Sequence, residues 1–371
     1  MCRLTFIIAL LLSVSSFGQK KGDPSFITAH YTEGILLAHH ANMNHLVQKN
    51  NRGFELSYLR QRASDTLMSR VYDMPLHGLN LTYRNFGYNE VLGSGFALTY
   101  LLRFTLLQTR NNLCIEFQSQ TGFGYVTKHY SKYDNPKNIA IGSHLNAKAD
   151  LELLVTKFTK RFNYGFGIEF SHFSNGAIKN PNLGLNSLSL LFMGGYNFAK
   201  RLVPEKPLKF KERMKLKDDF PDHSLIAEVI ASARQVADIP YKAKVYPVIG
   251  TRLTYVYRPR IKWGAVVSLD FVHNAANPHL WPEEGHKESE AYQLGIYTGA
   301  EAYFYKTVIL FGLGYYLFDP VNASGKIYDR LGLQYYFTKN WYGLFAIKAN
   351  FAKADYFEFG IGRRLKGWSK K

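Results

Sequence analysis

The chain has 371 residues and a formal net charge of +18, with 26 Tyr, 27 Phe and 30 Gly but only two Cys. No internal segment approaches the ~18 consecutive apolar residues of a membrane-spanning helix, and no nucleic-acid-binding motif accompanies the positive charge. This composition argues against a helical membrane protein or a nucleic-acid-binding module. It favours a β-rich protein whose basic surface meets acidic partners such as phosphorylated lipid headgroups.

The N-terminal segment has the organisation of a secretory signal peptide. Arg3 supplies a positive charge, residues 5–14 are mainly apolar, and small residues stand at the minus-three and minus-one positions of a cut. We therefore predict a signal peptide over residues 1–18, which implies export. Cys2 leaves with this peptide and Cys114 remains, so the mature chain is expected to lack an internal disulfide and a cysteine-based metal site.

From residue 31 onward, segments with period-two alternation of apolar and polar residues are separated by turn-like stretches. Such alternation predicts strands. The first set lies near 31–40, 52–61, 79–88, 94–104, 113–122, 145–157, 163–174 and 186–198. The second set lies near 222–236, 244–257, 262–273, 289–304, 307–317, 328–337, 341–350 and 355–364.

These sixteen segments predict an all-β fold, and in an exported aromatic-rich chain they favour a transmembrane antiparallel β-barrel of 12–16 strands in the bacterial outer membrane. Short connections after even-numbered strands and long ones after odd-numbered strands support a barrel. The basic, proline-containing connector 199–221 interrupts the pattern. It leaves open an alternative, an eight-stranded barrel (30–198) followed by a separate β-rich unit (222–371). A soluble β-sandwich would show the same alternation.

Three polar residues continue the apolar faces of two predicted neighbouring strands. His172 and Ser174 have the parity of the aromatic residues in 163–174, and Asn186 has the parity of the apolar residues in 186–198. Residues two apart on a strand share a face, and a hairpin would bring the two strand ends together. Serine as nucleophile, histidine as general base and asparagine as the residue that orients the imidazole make up the parts of a serine hydrolase.

The tetrahedral intermediate of such a hydrolase carries negative charge and needs hydrogen-bond donors. The backbone of Asn175 and Gly176, directly after Ser174, is well placed to supply one. His, Ser and Asn are also ordinary loop residues, so the alternative is a plain strand–loop–strand in a non-catalytic barrel that serves as a porin or structural protein.

The segment His172-Phe173-Ser174-Asn175, followed by Pro181-Asn182, Gly184 and Asn186-Ser187, resembles the signature of the lipid A 3-O-deacylase (PagL-type) family of outer-membrane barrels, here taken with the acyloxyacyl hydrolases. This resemblance implies a compact eight-stranded barrel over roughly residues 30–200. It also implies removal of an ester-linked acyl chain from lipid A. By position, His172 and Ser174 would be catalytic, and the Asn175 backbone with Asn182 would bind the oxyanion. The family has glutamate where this chain has Asn186.

A weaker resemblance is to outer-membrane phospholipase A, which also presents His-x-Ser-Asn-Gly and an asparagine at the position of Asn186. The Ser-Arg-Ser-Trp-Asn run that carries that asparagine is absent here. Under this alternative a calcium ion at a homodimer interface is implied; otherwise no cofactor and no metal are expected. His39, His40 and His45 do not form a metal pattern with acidic residues. Membrane lipids are the expected partners, as lipopolysaccharide or phospholipid, and a homodimer is a further expectation.

Overall fold

The protein is described by a computed structural model that covers residues 23–61, 71–201, 220–236, 244–280, 287–322, 325–350 and 353–369. The predicted signal peptide and most of the basic connector 199–221 lie outside these described residues. Within the described ranges, no helix is both long enough and apolar enough to cross a membrane.

Within the described residues, sixteen strands form at the sixteen predicted places. The first eight are β1 (Ser25–Leu37), β2 (Asn51–Gln61), β3 (Leu76–Asn85), β4 (Ser94–Gln108), β5 (Leu113–Val126), β6 (Leu145–Phe158), β7 (Phe162–Ser174) and β8 (Leu185–Asn197). The second eight are β9 (His223–Val236), β10 (Lys244–Arg260), β11 (Trp263–Asn274), β12 (Tyr292–Phe304), β13 (Thr307–Phe318), β14 (Ile327–Tyr336), β15 (Trp341–Asn350) and β16 (Lys353–Trp368). Short 3₁₀ helices lie at Ala41–Leu46, Asn277–His279 and Glu288–Ala291.

The strands close into two antiparallel barrels of eight strands each, β1–β8 and β9–β16. The first closes because β1 pairs with β8, from Phe26 opposite Asn197 to Leu37 opposite Asn186. The second closes where β16 pairs with β9. The expected single barrel of 12–16 strands is therefore not formed. In such a barrel β8 would hydrogen-bond to β9, but that edge of β8 is paired with β1, so the first eight strands close on themselves. The alternative of an eight-stranded barrel followed by a separate β-rich unit is confirmed, and that unit is itself a barrel.

The outward faces of both barrels are apolar, as the alternation predicts. On β13, four outward residues are 42–56% exposed: Phe311, Leu313, Tyr315 and Leu317. Most connections after odd-numbered strands are long, such as 127–144, whereas 109–112 and 261–262 after even-numbered strands are short; the connections 62–75 after β2 and 351–352 after β15 are exceptions. We call the end of the first barrel that carries the connections 38–50, 86–93, 127–144 and 175–184 its loop end. Apolar belts with this loop asymmetry are typical of outer-membrane barrels.

The interior of the first barrel is polar and filled. Arg84 Nη2 donates to Glu169 Oε1 at 2.6 Å, and Lys148 Nζ donates to Glu55 Oε1 at 3.2 Å, with all four side chains fully buried. An eight-stranded barrel is just wide enough for side chains to fill its interior. Such packing does not suit an open pore.

The interior of the second barrel combines ion pairs with tyrosine rings. Arg330 Nη2 donates to Asp270 Oδ2 at 2.6 Å, and Arg252 Nη2 donates to Glu358 Oε2 at 2.5 Å. Around these pairs lies a group of buried tyrosines: Tyr297, Tyr303, Tyr316, Tyr328, Tyr336, Tyr342 and Tyr356. This barrel is a packed core as well.

The two barrels contact each other near both ends. At the loop end of the first barrel, the Asn180 backbone N–H donates to Gln235 Oε1 of β9 at 2.6 Å. At the opposite end, the rings of Tyr72 and Phe104 lie 5.2 and 5.4 Å from the ring of Phe304. The contact at the loop end falls on the connection between β7 and β8, which carries the candidate site.

Candidate active site

His172 and Asn186 face each other across the β7–β8 pair. They are directly opposite in the strand register, and His172 Nδ1 lies 2.5 Å from Asn186 Oδ1. Because an amide oxygen only accepts hydrogen bonds, Nδ1 carries the proton in this contact. The other nitrogen, Nε2, is then the one with a lone pair. A neutral imidazole in this tautomer can act as a general base.

Ser174 ends β7 two positions after His172, on the same face of the strand. Its side chain is buried, with 3% of the residue exposed, and its Oγ accepts the backbone N–H of Gly176 at 3.3 Å. Both residues are described, and no hydrogen bond joins His172 to Ser174 in this part of the chain. Nucleophile–base contacts are commonly loose in the absence of substrate.

The site lies on the outward face of the first barrel, as the residue parity predicts. Phe166 and Phe170 on β7 are 59% and 39% exposed, and Leu188 on β8 is 45% exposed. His172 and Asn186 continue these faces and are partly buried. A polar group at the hydrocarbon boundary costs free energy unless it is hydrogen-bonded, and the His172–Asn186 contact reduces that cost.

The connection 175–184 is held in shape by two asparagines. Asn182 Oδ1 accepts the backbone N–H of Asn175 at 2.9 Å, and the Asn175 amide donates to Ser143 Oγ at 2.9 Å and to the Lys179 carbonyl at 2.8 Å. The predicted oxyanion-binding residues Asn175, Gly176 and Asn182 therefore lie close together, but their hydrogen-bonding roles differ from the prediction. Asn182 presents its oxygen and occupies the Asn175 N–H, so the N–H of Gly176 is the backbone donor directed at Ser174 Oγ.

Gly184 makes room for the imidazole. Its φ is +81°, and a Cβ added there would lie 2.9 Å from His172 Cε1. An L-residue at this position meets both backbone strain and a ring contact. Gly184 N–H also donates to the Ala140 carbonyl at 2.9 Å, which ties this connection to the one between β5 and β6.

The sequence argument missed one neighbour of the site. His39, two residues beyond the end of β1, has its Nδ1 3.1 Å from Asn186 Nδ2. The pairing of β1 with β8, which places Leu37 opposite Asn186, brings it there. No motif in the sequence signals this contact, because it depends on barrel closure. His45, considered with it as a metal ligand, instead contacts the carbonyls of Asn42 and Lys137, each at 2.8 Å.

Inside the first barrel, two groups of residues have atoms close enough to share a cation: His30, Glu55 and Glu152, and Glu55, Asp150 and Glu169. Three of these carboxylates have cationic partners, and Glu152 Oε1 accepts hydrogen bonds from Gln118 and Gln120. Lys148 pairs with Glu55 and Asp150, and Arg84 pairs with Glu169. These groups lie in the barrel interior among ion pairs, away from the outward face of His172 and Ser174.

The fold and the site together define a membrane β-barrel with hydrolase-type residues on its lipid-facing side. Two family models match the chain: lipid A 3-O-deacylase (PagL) over residues 52–193, and the C-terminal domain of acyloxyacyl hydrolase (PagL_C) over residues 223–367. Together they cover most of the sequence, one on each barrel. Each barrel thus carries a domain of the PagL family: the first matches the lipid A 3-O-deacylase model and the second the C-terminal domain of acyloxyacyl hydrolase.

Solved structures with similarity to the chain are outer-membrane barrels. The outer-membrane enzyme PagL is 15% identical, with a TM-score of 0.28, over 46% of this chain and 98% of its own. Omp33 of Acinetobacter baumannii is 9% identical, with a TM-score of 0.18, over 93% of this chain and 100% of its own. A porin of Rh. blastica is 6% identical, with a TM-score of 0.17, over 93% and 99%. No curated protein matches the sequence.

Proposed function

We propose that the protein is an outer-membrane esterase that removes an ester-linked acyl chain from lipid A, with Ser174 as nucleophile. The observation that carries this proposal is the 2.5 Å contact between His172 and Asn186, beside Ser174, on the outward face of β7. A substrate that diffuses within the membrane reaches that face without leaving the lipid. Family membership supplies the substrate class.

In the proposed reaction, Ser174 Oγ attacks the carbonyl carbon of the ester while His172 Nε2 takes the hydroxyl proton. The Gly176 N–H stabilises the negative oxygen of the tetrahedral intermediate. The intermediate collapses, the sugar alcohol leaves with the proton from His172, and the acyl group stays on Ser174. A water molecule then gives its proton to His172 and attacks the acyl-serine, which releases the fatty acid and restores the serine.

Asn186 holds the proton on His172 Nδ1 throughout these steps. A carboxylate at this position would also offset the charge of the imidazolium, and an amide does not. The role of Asn186 is therefore orientation of the ring and choice of tautomer. The second barrel carries no equivalent pair at the corresponding strand end: its seventh strand, β15, ends Lys348-Ala349-Asn350 where β7 ends His172-Phe173-Ser174.

The test is mass spectrometry of lipid A and phospholipids from membranes that contain wild-type protein or Ser174→Ala. Ser171→Ala is the matched control, because Ser171 is buried on the interior face one residue before His172. Loss of one acyl chain from lipid A with wild type and Ser171→Ala, but not with Ser174→Ala, is the expected result. Identical spectra from all three folded proteins would reject the proposal.

A phospholipase A-type activity is the second candidate, and the asparagine at position 186 favours it, since the resembling phospholipase family has asparagine there. The same spectra distinguish the two. Lysophospholipid that appears only with an intact Ser174, while lipid A stays unchanged, would establish the phospholipase activity instead. Calcium dependence and a homodimer belong to that outcome, and chelation followed by the same lipid analysis tests the first of them.

A further inference from the structure

An asparagine beside a catalytic histidine can present either its oxygen or its nitrogen to the ring, whereas a carboxylate presents an oxygen in both orientations. Rotating its amide by half a turn exchanges Oδ1 and Nδ2 at nearly the same positions. With Oδ1 toward His172, Nδ1 of the imidazole carries the proton and Nε2 is free to act as a base. With Nδ2 toward His172, Nδ1 must accept, the proton sits on Nε2, and the ring cannot take a proton from Ser174.

The structure provides a partner on the other side of the amide. Asn186 Nδ2 lies 3.1 Å from Nδ1 of His39, so the amide bridges two imidazoles. The Leu37 carbonyl is 3.4 Å from the same His39 nitrogen and also accepts the His39 backbone N–H at 3.1 Å. The contact of His39 Nδ1 with the Asn186 amide is the shorter one, which favours the tautomer in which the lone pair of Nδ1 accepts the amide N–H.

We propose that His39 is a positioning residue that selects the productive orientation of the Asn186 amide and, through it, the tautomer of His172. An acceptor at His39 Nδ1 stabilises only the arrangement in which Asn186 donates to His39 and accepts from His172. The loop end of β1 thus contributes to a site whose other members lie on β7 and β8. This inference rests on the proposed function, because it concerns the base of that reaction.

His39 has no hydrogen bond to Ser174 among the described residues, so its loss should affect the chemical step alone. For His39→Ala we expect kcat to fall roughly 10-fold, by analogy with the losses seen when the hydrogen-bond partner of a metal-bound histidine is removed, with KM unchanged. His39→Gln keeps an acceptor oxygen within reach of the amide, and we expect it to recover most of the lost kcat. His40→Ala is the matched control, because His40 is the exposed neighbour and its ring lies 4.8 Å from that of His39.

The decisive measurement is a double-mutant cycle with Asn186→Asp. A carboxylate has two equivalent oxygens and needs no orienting partner, so His39→Ala should leave kcat unchanged in the Asn186→Asp background. Hydrolysis is measured on purified protein in detergent with lipid A as substrate, and folding is checked by the heat-dependent gel mobility of the barrel.

Two outcomes would overturn the inference. The first is a His39→Ala variant with wild-type kcat. The second is an equal loss of kcat on His39→Ala in the wild-type and Asn186→Asp backgrounds, which would indicate a structural role. Failure of the proposed function is a separate result, because an inactive wild-type protein is seen before any variant is compared.

Discussion

The ring of Phe357, on β16 of the second barrel, occupies the space that a side chain on Gly176 of the first barrel would need. A Cβ built on Gly176 would lie 2.3 Å from Phe357 Cδ2. Phe357 has the outward parity of Phe359, which is 50% exposed, yet Phe357 itself is only 7% exposed. The difference arises because the connection after Ser174 covers it. The second barrel therefore contacts the segment that carries the candidate oxyanion donor.

This contact predicts that Phe357→Ala lowers activity although residue 357 is far from Ser174 in sequence. Loss of the ring removes packing behind Gly176, whose N–H must keep its position relative to the reacting oxygen. We expect kcat to fall about 10-fold, less than for complete removal of an oxyanion donor, while the first barrel stays folded. Phe359→Ala, which removes an exposed ring from the same face, should have little effect. Equal activities of the two variants would show that the second barrel does not support the site.

Gly176→Ala is expected to be more harmful than Phe357→Ala. The φ of Gly176 is +61°, which disfavours a side chain, and the added methyl group would collide with the Phe357 ring. Hydrolysis of lipid A by the double variant Gly176→Ala, Phe357→Ala separates the two causes. Partial recovery in the double variant would assign part of the defect to the collision, and no recovery would assign all of it to backbone strain.

Gly184→Ala should inactivate the enzyme by displacing the His172 ring. The new Cβ would lie 2.9 Å from Cε1, and the bonded Nδ1 is held by its 2.5 Å contact with Asn186. We expect a loss of kcat of at least about 10-fold, because a general base must stay within hydrogen-bond reach of the hydroxyl. Gly194→Ala on β8 is the matched control, since an added Cβ there has no atom within 4 Å. Comparable kcat values for the two variants would contradict this assignment.

Asn186→Asp is expected to raise kcat. A carboxylate keeps the acceptor for His172 Nδ1 and adds charge stabilisation of the imidazolium that an amide cannot provide. The family resemblance points the same way, because glutamate stands at this position there. We expect an increase of about 10-fold or more in detergent assays with lipid A, and a decrease for Asn186→Leu, which removes the acceptor. A lower kcat for Asn186→Asp than for wild type would indicate that the site is built for a neutral partner.

The ion pairs inside the second barrel predict that substitution of a buried carboxylate lowers the free energy of unfolding much more than substitution of an exposed one. Glu358 accepts hydrogen bonds from Arg252 and from Arg330 Nε at 2.9 Å, and both arginines are buried. Glu358→Gln leaves these cations undercompensated and should destabilise the second barrel by about 3–5 kcal/mol. Glu33→Gln removes an exposed pair with Arg52 and should have a much smaller effect. Urea-dependent unfolding in detergent, followed by far-ultraviolet circular dichroism, which reports the strands of both barrels, measures both; similar midpoints would contradict the prediction.

Local sequence patterns were sufficient for the strands and for the faces of the site. Period-two alternation depends only on neighbouring residues, so β7 and β8 were predicted within one residue at either end. The same parity placed His172, Ser174 and Asn186 on one outward face, and hairpin geometry predicted that His172 meets Asn186. The segment 222–236, predicted as a strand, forms β9, which pairs on both edges with β10 and β16.

The all-β class, the sixteen strands and the constellation on β7 and β8 therefore follow from local sequence patterns. The closure into two barrels, the contact of His39 with Asn186 across the β1–β8 pairing and the packing of Phe357 on Gly176 are visible only in the folded chain. The two groups of features differ in the range of the interactions that produce them. Alternation records which face of a strand meets lipid, and this is the same in one large barrel or two small ones. Which edges pair, and which distant side chains then meet, depends on hydrogen bonding between strands far apart in the chain.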